Sequence, residues 1–397
     1  MTTLLVACWA SPVGAQEESS PASDSRFRVG FLGLTPTLNI ESLGVDTNVF
    51  NDPVNAKSDM VATLRPDLGT AMKVGRGVFT THSWLAYRYF QEYATQRSLS
   101  SSTDLRFGLP FKWFKPYVAE TLTSLRDRPS PDIDARVRTN VSSTAVGMAF
   151  NVGPRATLDF STRRTVTSFG QDETFLGTNL AQQLNQVATE LSGSFGYRIT
   201  PVTTAVISVL DQHNGFKSAS GRDSGSIVVV GGAEFGHTGP IGGRATVGFR
   251  QFKVNDTRVA NFSGPIVGVD LSYVIRGSTQ FLVKLGRDVA YSFSPTEPYY
   301  LLTTISGTIN QQVSDRIAVS GGYTRQLLNY RRLIEIGMPE DLTVIATGLI
   351  SQINAGVSVR LSPSARLSIG VEKAQRPAGH LEAYQNFRIL SGVSYGF

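Results

Sequence analysis

Ile353-Asn354-Ala355-Gly356-Val357-Ser358-Val359-Arg360-Leu361-Ser362-Pro363-Ser364-Ala365-Arg366-Leu367-Ser368-Ile369-Gly370-Val371 is the stretch that decides the fold. From Ile353 to Leu361 every odd-numbered residue is apolar, and those between are small, polar or, at Arg360, charged. After Ser-Pro-Ser the same alternation resumes at Ala365 and runs to Val371. Successive side chains of a strand point to opposite faces, so each half is a strand with one apolar face. The link between them has room only for a tight turn. Residues 105–109, 186–197 and 267–271 carry the same period of two.

Two architectures share this pattern. A membrane barrel turns the apolar face to lipid and the other to a wet lumen, whereas a soluble sandwich packs the apolar faces against each other. The connections separate the two. Residues 73–77, 151–155, 198–202, 275–278 and 361–364 are short and rich in Gly, Pro and Ser. Between them lie the long segments 51–58, 92–102, 126–138, 170–185, 213–223, 330–342 and 374–386. Outer-membrane barrels alternate short periplasmic turns with longer outer loops. A Greek-key sandwich has no reason to do so over a whole chain. The expected fold is therefore all-β: a closed transmembrane antiparallel β-barrel, an up-and-down meander of about 18 strands. Sixteen strands is the alternative, because residues 262–273 and 299–312 are the weakest strands. With eighteen, both termini lie on the periplasmic side, and the strand near residues 36–42 pairs with the one at 387–397.

Composition agrees. The chain has 397 residues, 17% charged, with 38 glycines, and no apolar run approaches the roughly 18 residues of a spanning helix. A membrane chain without spanning helices has to close its strands into a barrel, since lipid satisfies no free backbone group. Cys8 is the single cysteine, which leaves no disulfide in residues 31–397, the expected barrel domain. Residues 1–15 read as a signal peptide cleaved after Ala15. The missing basic n-region points to an upstream start, and Leu5-Val6-Ala7-Cys8 offers lipidation at Cys8 as the rival. Residues 16–30 read as a flexible periplasmic lead-in.

On the last strand Phe387, Ile389, Val393, Tyr395 and Phe397 share one face. The spacing of Gly392, Tyr395 and Phe397 resembles the β-signal read by the barrel-assembly machinery, departing from it at Leu390, where a polar residue is usual. Trp84, Tyr87, Tyr89 and Phe90, the group Phe111, Trp113, Phe114 and Tyr117, and the pair Tyr299-Tyr300 are expected in interfacial girdles, where amphipathic rings are favoured.

With apolar faces turned to lipid, the lumen receives Glu41, Arg65, Arg106, Arg163, Glu190, Arg198, Glu234, Arg244, Arg250, Asp270, Lys284, Arg316, Arg360, Arg366, Glu372 and Arg388. Such charges either bias which solutes enter or pair across strands and brace the wall. Arg360 and Arg366 should lie together near the periplasmic end. Arg388 should lie nearer the outer end, with Glu372 or Glu41 as partner. Arg287 and Arg325 fall on the lipid face, which calls for a bulge or for headgroup phosphates. Residues 170–186, with a short helix at 175–183, are a candidate inward-folded constriction.

The pattern points to no catalytic residues, no metal site and no cofactor. His82, His213, His237 and His380 are scattered, and no P-loop or nucleophile elbow occurs. Ser83 beside His82 makes no dyad, because neighbours on a strand face opposite ways. The pI of 9.4 comes from Lys and Arg spread without a patch, so outer-membrane lipid and lipopolysaccharide are the expected partners and nucleic acid is not.

Pro36-Thr37-Leu38-Asn39-Ile40, Val45-Asp46-Thr47-Asn48-Val49-Phe50 and Gly196-Tyr197-Arg198 resemble the β-barrel porins of exopolysaccharide gene clusters, the β-barrel porin 2 family. The resemblance covers most of residues 16–397. It implies a bacterial outer-membrane protein linked to polysaccharide-export components. The leading expectation is a porin-like channel or conduit for saccharide or another small polar solute. A structural or docking barrel for a secretion complex is the second, and an outer-membrane hydrolase the third.

Overall fold

The computed structural model describes residues 25–236, 238–333 and 344–397, the side chains of 344–346 excepted. The signal-peptide and lipidation readings, residues 16–24 of the lead-in, and His237 lie outside the described residues. Eighteen strands form the wall. They are β1 (Leu32–Asp46), β2 (Asp59–Val74), β3 (Gly77–Phe90), β4 (Ser98–Gly108), β5 (Phe114–Asp127) and β6 (Val137–Val152). There follow β7 (Ala156–Phe169), β8 (Gln186–Thr200), β9 (Thr203–Phe216), β10 (Ser224–Phe235), β11 (Ile241–Val254) and β12 (Phe262–Ile275). The last six are β13 (Thr279–Tyr291), β14 (Tyr299–Gln312), β15 (Ile317–Arg331), β16 (Val344–Arg360), β17 (Ala365–Arg376) and β18 (Tyr384–Gly396). Each pairs antiparallel with the next, and β18 pairs with β1, from Thr37 opposite Gly396 to Asp46 opposite Arg388. The sheet is closed, and the two weakest strands of the sequence, β12 and β14, are both present.

The connections keep their rhythm. Turns run from 75–76 and 201–202 up to 109–113 and 236–240, and loops from 91–97 up to 170–185. The outward face is an apolar band that includes Leu64, Phe160, Ile207, Val229, Phe249, Ile305, Ile353 and Ile369, all exposed. In water such a band would be a severe liability, and in hydrocarbon it is the stabilising surface. The inward face carries small hydroxyls that bond across strands, as in Ser143–Thr165 (3.0 Å), Ser161–Ser192 (2.7 Å) and Ser306–Thr324 (2.8 Å).

At the seam β1 bulges between Ile40 and Leu43, with Ser42 at φ 56°. Here the backbones approach closely. A Cβ on Gly44 would stand 1.9 Å from the Ile389 carbonyl oxygen, and one on Gly392 would stand 3.1 Å from that of Ile40. Tyr395 and Phe397 meet edge to face at 4.9 Å. The end of the expected lead-in is part of the fold: Phe27–Val29 turns back through Gly30 and pairs with residues 32–34, and Arg26 Nη1 donates to Phe397 O at 3.0 Å.

One part of the wall leaves the cylinder. Pairing of β12 with β13 stops at Val267 opposite Arg287, whereas β13 pairs with β14 all the way to Tyr291 opposite Tyr299. Beyond the split, Val289, Tyr291, Tyr299 and Leu301 pack on Val228, Val230, Phe252 and Ile266. Val228 and Phe252 alternate with the exposed Ile227, Val229 and Phe249, so they belong to the inner face. The tip of the β13–β14 hairpin is therefore folded into the barrel. Residues 255–261 and the end of β15 close behind it through the Val259–Leu333 bridge.

Candidate pore constriction

At the long-loop end the lumen is filled by loops that meet across its diameter. Asp132, on the β5–β6 loop, is fully buried, as are Ser292 and Tyr300 of the opposite β13–β14 hairpin. Asp132 accepts from Ser130 Oγ (2.5 Å), from the Phe293 backbone N–H (3.2 Å) and from Tyr300 OH (3.4 Å). Burial pushes its carboxyl above the ordinary range, against the lowering effect of those bonds. The 170–185 loop joins from a third side. Thr174–Phe175 and Thr178–Asn179 form a small hairpin with Leu176 and Gly177 at positive φ, the twist a two-residue turn demands. A single-turn helix, Leu180–Leu184, follows, its first turn capped by the Asn179 side chain accepting from the Gln182 N–H at 3.0 Å. This helix lies further along the chain than 175–183. Leu180, Ala181 and Leu184 pack with Ile133, Phe293 and Leu381, which come from three other loops.

A ring of guanidiniums ties the loops to the wall. Asp134 holds Arg128 (2.9 Å) and Arg376 (2.9 Å) and accepts from Asn51 Nδ2 (2.6 Å). Asp46 holds Arg388 (3.1 Å) and Arg136 (3.6 Å). Arg128 and Arg136 both donate to the Val49 carbonyl oxygen. Burial, with Arg128 and Arg88 nearby, pushes the Arg136 guanidinium down to about 9, so it stays charged at neutral pH. Arg222 donates to the carbonyl oxygens of Ser292 and Pro298 and to Gln183, and burial pushes it down to about 10. Within this ring a cavity of about 270 Å³ is lined by Arg128, Arg136 and Arg376, by Asp134, and by Phe50, Phe175 and Leu381. The buried Arg136 Nε and Arg376 Nη1 have no hydrogen-bond acceptor among the described residues.

The residues singled out in the sequence fall into three groups. On the inner wall, Arg65 pairs with Glu41 (3.4 Å) and Asp67 (3.0 Å) and lies over the Trp84 ring, and Arg163 pairs with Glu190 (4.0 Å), Arg244 with Glu234 (3.6 Å) and Lys284 with Asp270 (3.1 Å). Arg106 lies over the Tyr117 ring, and Arg198 stands on the inner face of β8. In the packed half, Arg250 binds Asp288 (2.8 Å), and Arg388 takes Glu372 (3.0 Å) as well as Asp46. At the short-turn rim, Arg360 stands directly opposite Arg366. Arg316 corrects the expectation: it lies exposed in the 313–316 turn, because β14 ends at Gln312 and β15 starts at Ile317.

The girdle expectation also needs correction. Tyr87, Tyr89, Trp113 and Phe114 are exposed outward, but Phe90, Tyr299 and Tyr300 are buried in the packed end, and Trp84 faces inward beneath Arg65. Parity explains Trp84 and Phe90, which alternate with Tyr87 and Tyr89, and the folded-in hairpin explains both tyrosines. Sequence reasoning missed Asp46, Arg128, Asp132, Asp134, Arg136, Arg222 and Arg376. The density of opposite charges in Arg126-Asp127-Arg128-Pro129-Ser130-Pro131-Asp132-Ile133-Asp134-Ala135-Arg136 was the available signal.

A closed eighteen-stranded barrel with an apolar outside, a hydroxylated inside and loops drawn into one end defines an outer-membrane β-barrel of the porin class. The sequence profile of the family described as Putative beta-barrel porin 2 matches residues 119–367, and the chain belongs to that family. No curated protein matches it significantly. Among solved structures it is similar to a BenF-like porin from Pseudomonas fluorescens Pf-5, at 12% identity and a TM-score of 0.49, covering 93% of this chain and 100% of that one. It is also similar to OccK11 (OpdR) of Pseudomonas aeruginosa, at 10% identity and 0.47, covering 92% and 96%. A third likeness is the anion-selective porin from Comamonas acidovorans, at 10% and 0.41, covering 92% and 100%.

Proposed function

We propose that the protein is a passive channel for small polar solutes, entered through the guanidinium-lined constriction and left through a wide, wet half. The supporting observation is the contrast within one lumen: eighteen strands leave an aqueous bore, and loops from four sides narrow it at one end only. A cavity of about 270 Å³ suits a single saccharide unit or a small organic acid, not a polymer chain. The arginines around it favour an acidic solute, since a guanidinium binds a carboxylate in two-pronged fashion. Charges paired by structure and a cavity without a nucleophile–base pair support a channel rather than an enzyme. The same proposal places the termini and short turns in the periplasm and lipopolysaccharide around the long-loop rim. It gives folding to the barrel-assembly machinery, with Gly392, Tyr395 and Phe397 as the recognition residues, and includes contact with polysaccharide-export components at the short turns. Planar-bilayer recording on purified protein tests it. Discrete conductance steps, reduced by millimolar uronic acid more than by neutral hexose, are expected. A silent bilayer with correctly folded protein would overturn it.

A further inference from the structure

On β5 to β8 the apolar outward face is interrupted by one island of polar and charged residues, which the exposed Asp211–His213 pair of β9 (3.6 Å) adjoins. Glu120, Thr144, Arg164 and Thr189 are successive cross-strand partners, forming a single row. Ser142 and Thr162 stand beside it. These residues share the outer face with Val118, Leu122, Val146, Phe160 and Leu191, all strongly exposed. Glu120 lies midway along β5, at the level of the hydrocarbon. Ser142 Oγ and Thr144 Oγ1 donate to its two oxygens at 2.9 and 2.5 Å. Arg164 has no acceptor within bonding distance among the described residues.

Lipid does not account for this island. Outward cations such as Arg126, Arg138 and Lys253 stand at the long-loop ends of their strands, where lipopolysaccharide phosphates can meet them. A carboxylate in mid-wall gains nothing from phosphate, and a charge on the lipid face is costly in proportion to its depth. Each oxygen of Glu120 accepts one hydroxyl and keeps capacity for a stronger donor.

We propose that this face joins two copies of the chain side by side in the membrane, Glu120 of each against Arg164 of the other. The charges make the patch self-complementary. Glu120 and Arg164 flank Thr144 on a row whose strands are about 4.8 Å apart. A two-fold axis along the membrane normal at Thr144 therefore lays each carboxylate on the opposite guanidinium, an isologous contact. Strand tilt of about 40° offsets the two by roughly 6 Å in height, within the span of an arginine side chain. Ser142, Thr144, Thr162 and Gly193 keep the surface low enough for close approach, as small residues do between membrane segments. The pairing removes both lone charges from lipid at once. A different membrane protein would need its own matching pair, so the second copy is the occupant the charges select.

Cysteine cross-linking in outer membranes tests this, in a Cys8→Ser background. Thr144→Cys should give a disulfide-linked dimer on oxidation, whereas Ile305→Cys, on the opposite wall, should remain monomeric. Glu120→Arg or Arg164→Glu alone should cut the Thr144→Cys cross-link at least tenfold, and the two together should restore most of it. Heat-modifiable mobility of each variant shows that the barrel is folded. A folded Thr144→Cys protein that stays monomeric, that links to another protein, or whose cross-link is not restored by the charge exchange would overturn the proposal.

Discussion

The two ends of the lumen use the same chemistry to opposite effect. Near the short turns Lys284 and Asp270 pair at 3.1 Å, with side chains 60% and 67% exposed. At the long loops Arg376 and Asp134 pair at 2.9 Å, with 5% and 10% exposed. Distance does not distinguish them, but solvent does. A wet pair contributes at most about 1 kcal/mol and is screened by salt. Removing one partner of a buried pair strands a charge, at a cost of about 3–5 kcal/mol. Charges in the open half therefore shape the field, and charges in the packed half hold the structure.

The sharpest way to break this contrast is Arg376→Ala. It takes from Asp134 one of its two guanidinium partners, leaving Arg128, and removes the bond to the Glu382 carbonyl oxygen, so the bundle around residues 128–136 should loosen by up to about 3 kcal/mol. Single-channel conductance should rise several-fold while the folded wall keeps its heat-modifiable mobility. Unchanged conductance, with unchanged amide-exchange protection of residues 128–136, would show that the pair is decorative. Asp132→Ala comes next. It leaves the Phe293 N–H and Tyr300 OH without their acceptor, at about 1–3 kcal/mol each when buried, and should produce frequent short openings.

The pH dependence of the same carboxyl is smaller, and its sign is fixed. The Asp132 pKa is raised in the packed loops above its ordinary 3.8. Its contribution to packing is thus complete below 3.8 and is lost as pH rises through the elevated value. Openings should be rarer at pH 4 than at pH 7 in the wild type, and this difference should shrink in Asp132→Asn. A wild type that opens more readily in acid would contradict the assignment. The smallest effect belongs to the short-turn rim. Arg360→Glu with Arg366→Glu should lower the anion-to-cation permeability ratio less than twofold at physiological salt, where the Debye length is about 8 Å. A larger change than that caused by Arg376→Ala would reverse the ranking of the two ends.

The wall was legible because its signals are local. Alternation at Ile353, Val357 and Ile369 and the turn at 361–364 need no knowledge of distant residues, and parity alone puts Glu372 and Arg388 on one face. Beyond the 170–186 segment the constriction was not legible, because its bonds join residues far apart in sequence, as between Asp132 and Phe293, and loops carry no period to extrapolate. One signal was present and went unread. Tyr299-Tyr300-Leu301-Leu302 is apolar on both faces, which suits a strand buried on both sides and contradicts a wall with a wet lumen. That run marks the hairpin that leaves the cylinder.

The departure of that hairpin changes the membrane as well as the pore. On β13 and β14 the exposed apolar surface stops at Leu285 and Ile305, and Arg287 follows at the split, donating to the Pro265 carbonyl oxygen at 2.8 Å. Arg325 stands outward on the neighbouring strand, opposite Ile305. The hydrophobic belt is therefore shorter on this side of the barrel than elsewhere. Lipids adapt to a shorter belt by compressing their chains, at a fraction of a kcal/mol per ångström of mismatch. The outer leaflet should dip beside β13–β15, with its headgroups drawn down to the two arginines, giving the protein a thin flank and a thick one in the plane of the membrane.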